Sequence, residues 1–266
     1  MALQLIDAHF HVWDLDAQEL PWLEGTDGSI THTYTLEELE VAYAAIGGVD
    51  FLGGVYVEVD GVDPLLEDRL TWERMSQDPK ILATMMRARV EPWMRLPVFA
   101  TGVREPLHIG SQPKDRALAP NFIAGLRVLA GAGKPFESCN RVEDLPIALE
   151  AFSQVPEATV VLNHLGNVTP ESFTEDYRAT MASLAQLPNL YLKVSGFPTA
   201  DKDFATSVLT FVKETFDPAR LLYASNWPVV GMYSSLAEHL ASVREVFGDD
   251  ERLFCENACD CYGIQL

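Results

Sequence analysis

The chain has 266 residues, the length of one α/β barrel of about 250 residues, and 48% of them are apolar, enough for a substantial core. Only 19 Lys and Arg stand against 39 Asp and Glu, a net charge of −20 with no basic stripe, which argues against a nucleic-acid partner. No apolar run approaches the ~18 residues of a membrane span, so no membrane partner is expected.

The chain opens without the basic region and cleavable apolar segment of an export signal. Leu3–Phe10 reads as a first strand, and His9 and His11 leave its end on one side because alternate strand residues share a face. Imidazole is the commonest protein metal ligand and the usual proton carrier near neutral pH, so this end is a candidate hydrolase site. A His-x-His alone is a short pattern, equally compatible with two ordinary histidines. Residues 12–34 form a long loop carrying Trp13, Trp22 and Tyr34. Thr35 with Glu38 is a capping box that starts a helix over about 36–46. A strand over Phe51–Val59 ends in Glu58 and Asp60, a helix covers 64–77, and a strand over Ile81–Val90 carries Arg87 and Arg89. Residues 91–121 make a second long loop, rich in Pro and carrying Trp93, where a homo-oligomer would place its subunit contact.

Phe122–Leu129 reads as the fourth strand, carrying Arg127, and Pro135–Cys139 as the fifth, with Glu137 and Ser138. The segment before the fifth strand is too short for a full helix, so one α unit is expected to be degenerate there. Strands then follow at Thr159–Leu165, ending in His164, at Leu190–Ser195, with Lys193 and Ser195, and at Leu221–Asn226, ending in Asn226 and Trp227. Helices read at 143–154, 173–186, 201–215 and 234–246, with Asp144, Thr174, Asp201 and Ser234 near their starts. Cys255, Cys259 and Cys261 lack a second Cys or His pair at finger spacing and read as packing residues. The four cysteines make no disulfide framework, and a reducing cytoplasm is the expected location.

Eight strands alternating with helices imply a parallel sheet, closed as a single (β/α)8 barrel over residues 1–266 with long loops over its C-terminal face. No Gly-x-Gly-x-x-Gly or Gly-x4-Gly-Lys-Ser/Thr loop supports a nucleotide-binding sheet, and no Gly-x-Ser-x-Gly elbow supports a serine hydrolase. Barrel enzymes carry their chemistry at the C-terminal strand ends, and here those ends hold His9, His11, Glu58, Arg87, Arg89, Arg127, His164, Lys193 and Asn226. Each has a bland alternative: Glu58 paired with Arg87 or Arg89, Arg127 with Glu137, Lys193 in a buried salt bridge, Trp22 and Trp227 as packing.

The order Ile-Asp-Ala-His-Phe-His-Val-Trp-Asp from Ile6, Asn-His-Leu-Gly-Asn around His164, Leu-Lys-Val-Ser-Gly around Lys193, Ser-Asn-Trp-Pro around Asn226 and Glu-Asn-Ala-x-x-x-Tyr-Gly near the end resembles the sugar-lactonase branch of the amidohydrolase superfamily, from residue 6 to 264. That branch includes L-fuconolactone, L-rhamnonolactone and 2-pyrone-4,6-dicarboxylate hydrolases. The resemblance implies a distorted barrel that opens a small sugar-acid lactone with water. It places His9, His11 and His164 at the site histidines, and Asn226 at the last-strand aspartate that commonly serves as general base. Asn226 is an amide and takes no proton from water, and Asn163 stands where an Asp often precedes the histidine. Two forms of the site follow. In one, His9, His11 and His164 hold a Zn²⁺ or another divalent metal whose bound water needs no carboxylate base. In the other, metal is absent, the three histidines hold the lactone carbonyl itself, and Glu58 or one of them is the base. Arg127 with Arg87 or Arg89 would then grip a substrate carboxylate or polarise the carbonyl, with Lys193 beside them, and Trp22 and Trp227 would line the pocket. A lactone isomerase or decarboxylase on the same scaffold, and a catalytically weakened binding protein, are the competing readings. Restoring Asp at 226 should raise activity if that position is the missing base.

Overall fold

The computed structural model of the protein describes residues 2–266. Eight parallel strands run in one sheet in sequence order: β1 (Leu3–Phe10), β2 (Val49–Val57), β3 (Ile81–Arg87), β4 (Gly102–Pro106), β5 (Phe136–Cys139), β6 (Val160–Leu162), β7 (Leu190–Val194) and β8 (Leu221–Tyr223). Helices α1 (Leu36–Ile46), α2 (Pro64–Gln77), α3 (Pro120–Gly131), α4 (Leu145–Ser153), α5 (Glu175–Ala185), α6 (Lys202–Thr215) and α7 (Leu236–Phe247) connect them, and α8 (Asn257–Tyr262) ends the fold. The (β/α)8 barrel read from the sequence is the observed architecture, nearly closed. Past the end of β8 the closing bonds are made by site residues: Asn226 N donates to His9 O at 2.9 Å and His11 N to Trp227 O at 2.7 Å. Asp7 ties the same seam, accepting from Ser225 N at 2.8 Å, Ser225 Oγ at 2.5 Å and Tyr43 Oη at 2.9 Å.

The helices begin where local chemistry lets them. Thr35 and Glu38 form the expected capping box on α1, and Ser235 with Glu238 forms another on α7, one residue past the expected Ser234. Asp63, Thr174 and Asp201 cap α2, α5 and α6 through their side chains. Asp144 makes no cap bond; its carboxylate takes Arg141 Nε at 2.5 Å.

Two expectations are corrected. The run Phe122–Leu129 is not a strand but the body of α3. Its buried positions Phe122, Ile123, Leu126 and Leu129 recur at three and four residues, and Pro120 stands at the start. The fourth strand is Gly102–Pro106, inside the segment expected to be loop. The degenerate α unit therefore lies one step earlier: β3 runs to β4 without a helix.

The core has two parts. The larger packs the outer strand faces against α1–α7. The smaller joins Ile6, Ala8, Val55, Val57, Met85 and Leu222 with Cys255, Ala258, Cys261 and Tyr262, and contains no residue of α1–α7. It is the barrel lumen, and the C-terminal helical segment packs into it. Cys255 and Cys261 thus act in packing, as expected, and all four cysteines are free.

Candidate active site

The ends of β1, β2, β4, β5, β6 and β8 and the loops after them enclose a cavity of about 230 Å³ lined by His11, Trp22, Glu58, Asp60, Arg104, His108, Cys139, His164, Asn167 and Asn226, with Val59, Ile109 and Val229. Several of these residues hold a backbone that L-residues rarely adopt: φ is +53° at Asp60, +54° at His164, +59° at Asn167 and +60° at Asn226. Such conformations persist where the surroundings over-determine them, and they cluster at functional sites. Gly196 makes the turn beside His164 achievable. Its φ is +77°, and a Cβ there would lie 2.4 Å from His164 Cβ. Gly196→Ala is expected to cost about 1–3 kcal/mol of stability and to displace the imidazole, so that thermal melting and kcat fall together. An unchanged kcat would show that the His164 position is not critical.

The three expected histidines converge. His9 Nε2 lies 3.1 Å from His11 Nε2, and the His9 and His164 rings are 4.5 Å apart between centroids. Their partners assign the protons. Lys193 Nζ, held as an ammonium by Glu137 Oε1 at 2.5 Å, can only donate, so His9 Nδ1 at 3.1 Å accepts. The His9 proton then sits on Nε2 and is donated to His11 Nε2. The His11 proton sits on Nδ1 and is donated to Val57 O at 2.8 Å. Tyr262 Oη of α8 donates to the same Glu137 oxygen at 2.8 Å, so the C-terminal segment braces this chain of bonds. His164 Nδ1 pairs with Ser195 Oγ at 2.8 Å, which leaves its Nε2 free.

All three imidazoles are held neutral. Burial dominates for each, then Lys193 and the other histidines for His9, Arg104 for His11, and Lys193 with Arg104 for His164. His11 is pushed down to about 3, and His9 and His164 lie well below the ordinary histidine range.

Of the other expected residues, Glu58 and Asn226 line the cavity, and so does Trp22, fixed by its Nε1 donating to Val59 O at 2.8 Å. Lys193 lies beneath, fully buried behind His9. Arg87 stands behind the wall, holding Asp60 at 2.6 Å. Trp227 packs against Tyr34 instead of lining the cavity. Two residues fall outside. Arg89 is exposed and paired with Glu91, and Arg127 lies on α3, half-exposed beside Glu157 at 3.9 Å. The cation that the mistaken fourth strand assigned to Arg127 is Arg104 of β4, buried and ion-paired with Glu58 through Nη1. His108, Cys139 and Asn167 were also missed: two sit in loops without periodicity, and the third is a single thiol at a strand end.

The donor set is a poor match to zinc as it is arranged. A catalytic zinc takes three protein ligands. Here His9 Nε2 carries a proton directed at the lone pair of His11, and the last-strand position offers an amide whose Nδ2 donates to Tyr233 Oη at 3.1 Å. Among the described residues, no group of three or more His, Cys, Asp or Glu is placed to hold a metal ion. Among the described residues no helix is long and apolar enough to cross a membrane.

A parallel barrel with imidazoles and a buried Arg–Glu pair converging on a cavity at its C-terminal strand ends defines a barrel hydrolase. Residues 6–264 match the family model described as Amidohydrolase, and the chain belongs to that family, as its motifs indicated. It is similar to the solved structure of Amidohydrolase 2 from Bifidobacterium longum subsp. infantis, with 49% identity and a TM-score of 0.90 over 99% of this chain and 100% of the other. It is 24% identical to the L-fucono-1,5-lactonase of Burkholderia multivorans, over 97% of this chain and 96% of that one. A zinc-bound amidohydrolase structure from Burkholderia multivorans shares the fold at 19% identity and a TM-score of 0.86, over 98% of this chain and 100% of that one.

Proposed function

We propose that the protein opens the ring of a small sugar-acid lactone with water. The observation that carries this reading is the free Nε2 of a neutral, buried His164 sharing one small cavity with the Arg104–Glu58 pair. The similarity to a lactonase supports the substrate class. His164 Nε2 takes a proton as water adds to the lactone carbonyl. Arg104, whose Nε–H is buried without a partner, donates to the oxyanion that develops, and Glu58 holds its guanidinium in place. Collapse breaks the ring C–O bond, and the proton on His164 passes to the leaving alkoxide, which yields the hydroxy acid. Asn226 positions water or a ring hydroxyl through the polar atoms that Tyr233 leaves free.

The test is proton release over a panel of aldono-1,5- and 1,4-lactones in a pH-indicator assay. Turnover of one or more above the uncatalysed rate is expected. Folded protein silent on the whole panel would overturn the reading in favour of an isomerase, a decarboxylase or a binding protein. Because no step here runs through a metal, turnover should survive dialysis against a chelator. A loss restored by added Zn²⁺, with metal content followed by elemental analysis, would place the base on a metal-bound water.

A further inference from the structure

Cys139 ends β5 with its side chain buried in the cavity wall, and it takes no part in the hydrolytic steps above. Its Sγ accepts a hydrogen bond from Asn167 Nδ2 at 3.3 Å, and Asn167 is itself fixed by donating to Asn140 O at 2.7 Å. The charged groups around the sulfur are His108 and Arg104. His108 in turn faces Arg104 and Asp60, and Asp60 is held by Arg87 beside Glu58. Two further polar atoms of cavity-lining residues are buried without a partner: Nε of Arg104, a residue with only 6% of its surface exposed, and Nδ1 of His108. An anion-stabilised sulfur beside an unfilled carbonyl-binding donor is the constellation that captures electrophiles.

We propose that Cys139 is a nucleophilic thiolate that captures small α-halo carbonyl compounds entering the cavity. The electrophile's carbonyl oxygen accepts from Arg104 Nε–H, which brings the adjacent reactive carbon to Sγ. With iodoacetamide the sulfur lone pair forms the S–C bond, the C–I bond breaks, and iodide leaves. The adduct fills the cavity and blocks it. Burial by itself would raise the thiol, but His108, Arg104 and Asn167 outweigh it and bring it down to about 6. The other cysteines run the opposite way: burial raises Cys255 to about 11, and raises Cys259 and Cys261 as well.

The experiment is iodoacetamide labelling of the intact protein over a range of pH, with each cysteine-containing peptide quantified by mass spectrometry. The label is read without turnover, so its outcome does not depend on which lactone, if any, is opened. Cys139 is expected to label roughly tenfold or more faster than the other three at neutral pH, with a rate already near its plateau there. His108→Gln, with its fold checked by circular dichroism, should move the inflection upward towards that of a free thiol, about 8.5. Asn167→Ala should move it in the same direction. A Cys139 peptide that stays unlabelled while Cys259 reacts, or whose rate in the unmutated protein rises only above about 8.5, overturns the proposal.

Discussion

His164→Asn is expected to lower kcat by about 10²- to 10⁴-fold with little change in KM, the range that a positioned general base contributes. Asparagine is the informative replacement because it tolerates the left-handed backbone that His164 adopts at φ +54°. It can still reach Ser195 Oγ but presents nothing where Nε2 stands. The backbone and the Ser195 contact are thus preserved while the proton acceptor is removed. Burial and the nearby Lys193 and Arg104 charges keep the imidazole neutral, so the unmutated enzyme should hold its rate through mildly acidic pH instead of losing it near the ordinary histidine value. Asn226→Asp is the matching exchange. With the base at His164, a carboxylate at 226 brings no gain. A His164→Asn enzyme that keeps more than a tenth of its kcat, or a large gain from Asn226→Asp, would move the base to position 226.

Much of this site was legible in the sequence, and the gaps have physical causes. His9 and His11 were placed by strand alternation, and their rings do meet, but His9 stands one strand repeat deeper and fully buried, so only His11 lines the cavity. His164, Glu58 and Asn226 lie where strand-end reasoning puts them. Arg104 was hidden because its strand is five residues long, begins with Gly and ends with Pro, both weak strand formers. The neighbouring Phe122–Leu129 run is more apolar and drew the assignment, although its three- and four-residue spacing is a helix period. Arg127 belongs to that same run and so lies on the outside of the barrel. The Cys139–His108 pair joins residues from two different strand–loop units, a proximity that only the closed barrel creates. The proton assignments of the imidazoles likewise depend on Lys193 reaching His9 across the lumen from β7.

Acid is expected to destabilise the protein steeply, with the melting temperature falling by on the order of 10 °C between about pH 7.5 and pH 5. Four imidazoles are buried and neutral: His9, His11, His164 and His239. Burial alone pushes His239 down to about 3 between Phe197 and Tyr223, and both its ring nitrogens lack a partner. A histidine whose folded pKa is depressed binds its proton more readily in the unfolded chain. Stability is therefore intact above the unfolded value of about 6.5 and is lost as pH falls below it, by about 1.4 kcal/mol per pH unit for each such group. Five groups oppose this. Burial and the Glu58 charge raise Glu67 to about 8, burial raises Asp7, Asp60 and Asp68, and Cys139 raises His108, so each favours the folded state as pH falls. Asp60, Asp68 and His108 are partly exposed, the two carboxylates beside Arg87 and Arg95, which leaves Glu67 and Asp7 as the buried opposing groups. Four imidazoles outweigh these two, and the net loss by pH 5 is several kcal/mol. His239→Leu, which removes one unsatisfied imidazole far from the cavity, should flatten the acid limb by about one proton's worth. Urea midpoints measured at pH 7.5, 6 and 5 decide the matter. Midpoints that hold or rise towards pH 5 would mean that the histidines take up protons in the folded state, and the neutral assignments at the site would fall with them.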